Sequence, residues 1–240
     1  MSVRWRWLRW VIAGAASVAA LAVAVPYVYI HFIEGAAPAP LSLRSGTPAP
    51  GATRSAGTSA PAAGATSVAG AWRIGAGSVV GYRVKEVLLG QDNIAVGRTR
   101  SVTGRLVIAG NTLTKAAFTV QMATIHSDQS QRDAQFDGRI MDVSAYPTGT
   151  FTLTRAVSLA PLPSVGTIKT YTVTGNLTLH GHTRSVTFAV SAKRTAGAIL
   201  ISGSIPVTFA DWNIPNPSFG SFVTTQNHGT LEFLLTFTRS

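Results

Sequence analysis

The chain has 240 residues, a formal net charge of +11 from 20 Lys and Arg against 9 Asp and Glu, and no cysteine. That length suits one or two ordinary domains, and the missing cysteine excludes disulfides, thiolate metal sites, cysteine nucleophiles and cysteine lipidation. A basic surface favours anionic partners. The Lys and Arg residues are scattered and do not interleave with aromatic residues, so a nucleic-acid partner is not expected.

Residues 1–34 have the pattern of a membrane anchor. Three arginines within the first nine residues precede an apolar run over residues 10–33, where His31 is the one strongly polar side chain. About 20 apolar residues span a bilayer as a helix, and flanking arginines favour the cytoplasmic side. The pattern therefore predicts a single-pass transmembrane signal anchor, with the C-terminal part of the chain outside the cytoplasm.

A cleaved signal peptide is the alternative interpretation of the same segment. Residues 20–22 and 22–24 both match the small-x-small pattern of a cleavage site. The apolar run continues past residue 24, however, and is long for a signal peptide. Both interpretations export the rest of the chain, which would be membrane-bound in the first case and secreted in the second.

Residues 35–70 consist mainly of Ala, Pro, Gly, Ser and Thr. Repeated Ala-Pro steps favour an extended backbone, and such a composition buries too little apolar surface to form a core. The segment is predicted to be a disordered tether that lets the following domain move on the order of 30 Å from the membrane.

Residues 71–240 are predicted to form one all-β domain with a short helix. Apolar residues alternate over eight stretches, at about 78–85, 102–108, 111–122, 150–157, 171–179, 184–193, 198–209 and 230–238. The pattern breaks at residues 88–101, predicted as a loop or ragged strand, and at about 128–136, predicted as a helix. Eight strands with turn signals between them indicate an antiparallel barrel or sandwich.

Several motifs of this domain resemble the YceI-like family of polyisoprenoid-binding, lipocalin-shaped proteins. Residues 175–184, GNLTLHGHTR, resemble the family pattern G-x-L-T-[LI]-H-G-x-T-[KR]. Tyr146-Pro147 followed by Phe151 resembles its Y-P-x-x-x-F step, and residues 209–214, FADWNI, resemble R-x-D-[FW]-x-[IM] without the arginine. The resemblance covers about residues 71–239.

The resemblance implies an eight-stranded antiparallel, lipocalin-like barrel exported beyond the cytoplasmic membrane. It implies an elongated apolar pocket for a long isoprenoid or similar amphiphile, with no catalysis and no cofactor. Alternation alone fits a packed core as well as a hollow barrel. A solid-cored envelope stress or structural module that binds a protein partner is therefore the alternative, and an enzyme acting on a lipid is a third hypothesis.

The candidate pocket residues share the inward faces of the predicted strands or follow them in the 209–214 segment. They are Phe118, Val120, Phe151, Leu153, Val173, Leu177, Leu179, Phe188, Val190, Phe209, Trp212, Leu231, Phe233 and Leu235. Few polar groups are needed in a pocket for an apolar chain. Arg132 and Arg184 are the candidates for contact with a polar or phosphorylated head group at the mouth.

Polar residues give little indication of other chemistry. His180 and His182 have a spacing that suits a metal, but no third ligand follows at ligand spacing, so no metal site is predicted. His126 and Asp128 lie near serines, but no glycine-flanked nucleophilic serine is present. The aspartates at 133, 137 and 142 suit a solvated helix face that pairs with neighbouring arginines.

Overall fold

The computed structural model describes residues 37–43, 67–88, 90–220 and 223–240. The anchor predicted for residues 1–34 lies outside these ranges, as does most of the tether predicted for residues 35–70. Within the described ranges no helix has both the length and the hydropathy needed to cross a bilayer.

The described part of the chain contains twelve strand segments, β1–β12, and one short α-helix, α1. In chain order they are β1 (Gly70–Ile74), β2 (Val79–Leu88), β3 (Gln91–Thr99), β4 (Val102–Ala109), β5 (Thr112–Gln121), α1 (Ser130–Gln135), β6 (Thr148–Leu153), β7 (Val157–Ser158), β8 (Ile168–Leu179), β9 (His182–Arg194), β10 (Ala198–Thr208), β11 (Val223–Thr225) and β12 (His228–Arg239). A wider helical turn, Phe136–Ile140, follows α1.

The sheet closes into a barrel of eight antiparallel strand positions. Its hydrogen-bonded order is β1-β4-β5-β6-β8-β9-β10-β12, and β12 pairs back with β1. Both β1 and β2 pair antiparallel with β12, so they are two halves of one broken strand. β3 pairs with β2, and β4 pairs with β1, so β3 and β4 are likewise two halves of one broken strand. The predicted eight-stranded antiparallel barrel with one short helix is confirmed.

A serine hydroxyl bridges the break between β1 and β2. The Oγ of Ser78 donates to the carbonyl of Gly75 at 2.9 Å and accepts from the amide of Thr236 at 3.0 Å. Gly77 has φ 86°, a conformation that glycine adopts without steric cost. Ser78 is buried, and its hydroxyl satisfies backbone groups that the interrupted ladder leaves unpaired.

The prediction of a loop or ragged strand at residues 88–101 is only partly right, because most of this stretch is a regular strand. Residues 91–99 form β3, which pairs with β2 in unbroken register from Leu88↔Gln91 to Val80↔Thr99. Gln, Asp and Asn at the start of β3 have low strand propensity, but cross-strand pairing overrides such preferences. The Nδ2 of Asn93 donates to Glu86 Oε1 on β2 at 2.9 Å. Strand four is also shorter than predicted, because β6 ends at Leu153.

Two buried clusters lie at different ends of the barrel. At the closed end, Trp72, Leu106, Ile108 and Phe237 pack together, and Phe237 is fully buried. The Nε1 of Trp72 donates to the carbonyl of Val68 at 2.9 Å. At the opposite end, the mouth, the second cluster packs Met122, Ile125, Phe136 and Met141, from the segments on either side of α1, onto the strands.

Residues 37–43, here called the strap, run over the outer wall of the barrel. The amide of Leu41 donates to Glu232 on β12, and the carbonyls of Pro38 and Ala39 accept from Arg83 and Arg98. The sequence predicts these residues as part of a disordered tether. In the structure they have a defined path, and Leu43 is buried.

Candidate functional site

The barrel encloses an apolar cavity of about 590 Å³ that opens at the mouth. Thirteen of the fourteen predicted pocket residues line it: Phe118, Val120, Phe151, Leu153, Val173, Leu177, Leu179, Phe188, Val190, Phe209, Leu231, Phe233 and Leu235. Twelve of them lie on β5, β6, β8, β9 and β12, where period-2 alternation puts them on the same inner wall. Phe209 lies in the helical turn that follows β10. The barrel is therefore hollow at its mouth end, and the solid-cored alternative does not describe it.

A series of phenylalanine rings follows the inner wall from strand to strand. Phe118 and Phe151, which are cross-strand partners on β5 and β6, stack with centroids 6.3 Å apart. Phe151 meets Phe188 edge-on at 5.5 Å, and Phe188 meets Phe233 edge-on at 6.0 Å. Edge-on and offset aromatic contacts stabilise the wall beyond simple burial.

Inward-facing glycines let these rings lie close to the wall. A Cβ placed on Gly175 would lie 2.4 Å from the ring of Phe151, and one on Gly203 would lie 2.6 Å from the ring of Phe233. The rings thus lie over backbone positions that carry no side chain, and the middle of the barrel stays open. A side chain at either glycine would push a ring into the cavity.

The floor of the cavity is the layer where it meets the closed end. There Phe118 contacts Phe237 at a tilt of 58°, with ring centroids 5.7 Å apart. Leu106, Leu113 and Ala116 line the cavity at this level and belong to, or pack on, the cluster that fills the closed end. The cavity therefore has an apolar floor where it meets the closed end.

A charged pair lies at the mouth of the cavity. The Nη2 of Arg132 on α1 is 3.1 Å from Glu86 Oε1 on β2, and both side chains line the cavity and are largely buried. Arg132 also pairs with Asp128. Arg132, predicted as a head-group contact, thus lines the cavity with its guanidinium already bonded to two carboxylates.

Tyr82 lies just inside this pair. Its ring stacks on Phe136 with centroids 5.2 Å apart and covers Gly97 on β3. Burial raises the pKa of the Tyr82 hydroxyl above its ordinary value, and the nearby Arg132 partly opposes that increase. Tyr82 is therefore a neutral hydroxyl in an apolar wall at neutral pH.

One side of the mouth is formed by the segment between β10 and β12. Pro217 and Phe219 line the cavity, and Phe219 is 57% exposed. The guanidinium of Arg139 donates to the carbonyls of Asn216 at 3.2 Å and Pro217 at 3.0 Å. Arg139 therefore connects the helical side of the mouth to this segment.

Two predicted site residues lie outside the cavity. Trp212 is buried behind the wall, where its Nε1 donates to the carbonyl of Leu177 at 3.2 Å. Arg184 is exposed on β9, and its Nε donates to the carbonyl of Asp211 at 2.8 Å. Both residues fix the 209–214 turn against the β8–β9 hairpin, so neither is placed to contact a molecule in the cavity.

A polar cluster near the mouth has the composition of a catalytic site but the geometry of a turn. Asp133 Oδ1 accepts from the amide and the hydroxyl of Ser127 at 2.8 and 2.7 Å, and Asp133 Oδ2 is 3.2 Å from His126 Nδ1. The Ser127 hydroxyl bonds the carboxylate rather than an imidazole, so no activated nucleophile results. The described residues contain no group of three or more side chains suited to a metal.

Burial raises the pKa of Asp137, with the neighbouring Asp133 as a second cause and His126 opposing them. Asp137 lies in the helical turn Phe136–Ile140 and is not one of the residues that line the cavity. The shift therefore belongs to this helical cluster and not to a group that contacts the cavity.

The sequence analysis did not predict several cavity residues, among them Tyr82, Glu86, Met122, Ile125 and Phe136. Tyr82 and Glu86 continue the inward alternation of β2 beyond Val80, a signal that was present in the sequence. Met122, Ile125 and Phe136 belong to a non-repetitive excursion, where no periodicity indicates which side faces inward.

An antiparallel barrel of eight strands, hollow at one end and lined with apolar side chains, is a lipocalin-like barrel. The chain belongs to the YceI-like domain family, whose model matches residues 72–237.

Solved structures with a similar fold include two bacterial proteins. One is a polyisoprenoid binding domain from Saccharophagus degradans implicated in plant cell wall breakdown, with 16% identity over 70% of this chain and 98% of that one, and a TM-score of 0.58. The other is Burkholderia cenocepacia BcnA, with 21% identity over 65% of this chain and 95% of that one, and a TM-score of 0.50. Comparison with curated proteins finds no match.

Proposed function

We propose that the barrel is a non-catalytic binding protein for a polyisoprenoid or a similar long-chain amphiphile. The observation that carries the proposal is the apolar cavity of about 590 Å³ inside the barrel. If a methylene takes roughly the 30 Å³ of a water molecule, the cavity holds on the order of 20 such groups. Each buried CH₂ contributes about 0.8 kcal/mol of favourable transfer free energy.

The mouth suits the polar end of such a ligand. Arg132 is held by Glu86 and Asp128, and a phosphate or carboxylate at the mouth would exchange part of those contacts for its own. Arginine binds both groups in a planar, bidentate manner. The apolar chain would then extend from Arg132 towards the floor at Phe118.

We further propose that the protein works outside the cytoplasm, tethered to the membrane by residues 10–33. The support is the sequence pattern of three arginines followed by a long apolar run. Cleavage after residue 22 or 24 would instead release a secreted barrel. Mass measurement of the mature chain distinguishes the two.

Native mass spectrometry of the full chain, extracted in mild detergent from membranes, tests the binding proposal. We expect a mass increment that is removed by organic solvent and identified as a long-chain lipid. A delipidated protein that takes up neither isoprenoids nor fatty acyl chains would contradict the proposal. The matched control is Val173→Phe, whose added ring narrows the cavity and should reduce the share of protein that carries the increment.

A further inference from the structure

The strap lies along a groove on the outer wall of the barrel. The groove crosses β9, β10, β12 and β2 and is floored mostly by small side chains on its β9–β10 side: Ala189, Ser191, Ser202 and Ser204. Ser202 points outward and is nevertheless 5% exposed. Small side chains on neighbouring strands leave a depression on this wall, and Pro40 and Leu41 of the strap line it together with them.

Three outward-facing charges form the other half of the groove. Glu232 on β12 is 4% exposed and lies 2.8 Å from Arg98 Nη2 and 3.5 Å from Arg83 Nε. Arg98 reaches it across β2 because Gly81, which pairs with both residues in the sheet, has no side chain in the way. A Cβ on Gly81 would lie 2.9 Å from Arg98 Cγ.

The backbone of the strap offers hydrogen-bonding groups that suit these three charges. Two guanidinium groups around one carboxylate leave N–H donors unused, and the carbonyls of Pro38 and Ala39 accept from them. Prolines have no N–H, so an Ala-Pro stretch is rich in acceptors and poor in donors. The amide of Leu41, just past Pro40, then donates to Glu232 Oε2 at 3.2 Å.

The burial of the aliphatic side chains in this region is consistent with the backbone contacts of the strap. Residues 35–70 contain three large aliphatic residues, Leu41, Leu43 and Val68. All three are at least half-buried in the structure, and Leu43 and Val68 are 9% and 6% exposed. The other Ala-Pro steps of this region, at 49–50 and 60–61, are not followed by leucines.

We infer that residues 37–43 dock on the barrel of the same molecule and thereby hold the barrel directly beside the N-terminal apolar segment. Residues 43 and 67 both lie on the barrel. The chain between them therefore does not lengthen the connection between the N-terminal apolar segment and the barrel. Three residues, 34–36, then separate the apolar run from the barrel. This placement rests on the proposed membrane anchor, whereas docking of the strap does not.

Hydrogen exchange of the full chain in detergent micelles tests the docking. We compare wild type with Leu41→Ser/Leu43→Ser, and use Val165→Ser, an exposed loop position, as the matched control. We expect amide exchange in residues 39–43 to become at least tenfold faster in the double variant, with barrel strands unchanged, and no change in the control. Equal, free-chain exchange rates in wild type and double variant would overturn the inference.

A second measurement tests the position of the barrel. The chain has no cysteine, so Val165→Cys provides a single labelling site, whose distance from a quencher in lipid headgroups is measured in nanodiscs. We expect a short, narrow distribution that broadens to longer distances when both strap leucines are replaced. Failure of the wild type to associate with nanodiscs would overturn the membrane-proximal placement while the exchange result still decides the docking.

Dilution distinguishes docking of the strap within one molecule from docking of the strap of a second copy. Protection of residues 39–43 that disappears on dilution, together with a concentration-dependent dimer mass, would show that the groove takes the strap of a second copy. Protection that is independent of concentration is the expected result.

Discussion

The closed end and the mouth end of the barrel are built from the same alternating strands, but one is filled and the other is hollow. At the closed end, Trp72, Leu106, Ile108 and Phe237 meet in the middle. Towards the mouth, glycines such as Gly175 and Gly203 take inward positions, and rings from neighbouring strands lie over them. The volume of the inward residues, rather than their pattern, decides where the barrel is hollow.

The largest expected effect is loss of packing at the closed end. Phe237→Ala removes a fully buried ring and should lower the free energy of unfolding by about 3–5 kcal/mol. Urea denaturation measures this change. Phe219→Ala is the matched control at the mouth, where the same truncation of an exposed ring should change stability by less than about 0.5 kcal/mol. Similar losses at both positions would remove the distinction between the ends.

The second prediction concerns the hollow end. Val173→Phe adds four carbons to a cavity-lining side chain, which displaces a similar number of ligand methylenes. At about 0.8 kcal/mol each, lipid binding should weaken by about 3 kcal/mol, or roughly a hundredfold in Kd. Fluorescent-lipid titration measures this. Thr172→Phe adds a ring on the outer face of the same strand and should leave the affinity unchanged; a hundredfold loss in both variants would contradict the cavity assignment.

The third prediction uses the pKa of Tyr82, which burial raises in the folded state. The folded protein therefore holds this proton more tightly than the unfolded chain. The resulting stability is fully present below the unfolded pKa of about 10 and declines above it by about 1.4 kcal/mol per pH unit. Tyr82→Phe should flatten this alkaline decline, measured as the difference in urea stability between pH 9 and pH 11. An unchanged slope would mean that Tyr82 is equally acidic in both states.

The smallest effect on stability is expected at the mouth. Arg139→Gln removes the exposed contacts to the carbonyls of Asn216 and Pro217, and the free energy of unfolding should change by less than about 1 kcal/mol. The rate of ligand release should nevertheless rise, because one side of the mouth is no longer held. Stopped-flow displacement of a fluorescent lipid measures it. Arg155→Gln, an exposed arginine beyond β6, is the control and should release ligand at the wild-type rate.

The strand alternation predicted most of the cavity wall because a period of two needs no tertiary information. It placed Phe151, Val173 and Phe233 on the inner wall correctly. It failed at Trp212, which follows a strand but lies in a helical turn, where alternation no longer indicates direction. It also failed for β3, whose Gln, Asp and Asn residues are held in the sheet by pairing with β2.

The charged contacts could not be predicted in the same way. Glu86 and Arg132 are 46 residues apart, and Arg98 and Glu232 are 134 apart. Each pair is brought together by barrel closure and by features such as the missing side chain of Gly81. From composition alone, the strap is indistinguishable from the rest of the Ala- and Pro-rich region, apart from its two leucines.

The apolar floor at Phe118 and Phe237 limits the length of ligand chain that the cavity can bury. A tail that enters at the mouth gains affinity with every added carbon until its end reaches these rings. Beyond that length, further carbons remain outside in water and contribute nothing. A plot of binding free energy against chain length should therefore rise linearly and then become flat, and the bend gives the depth of the barrel in carbon atoms.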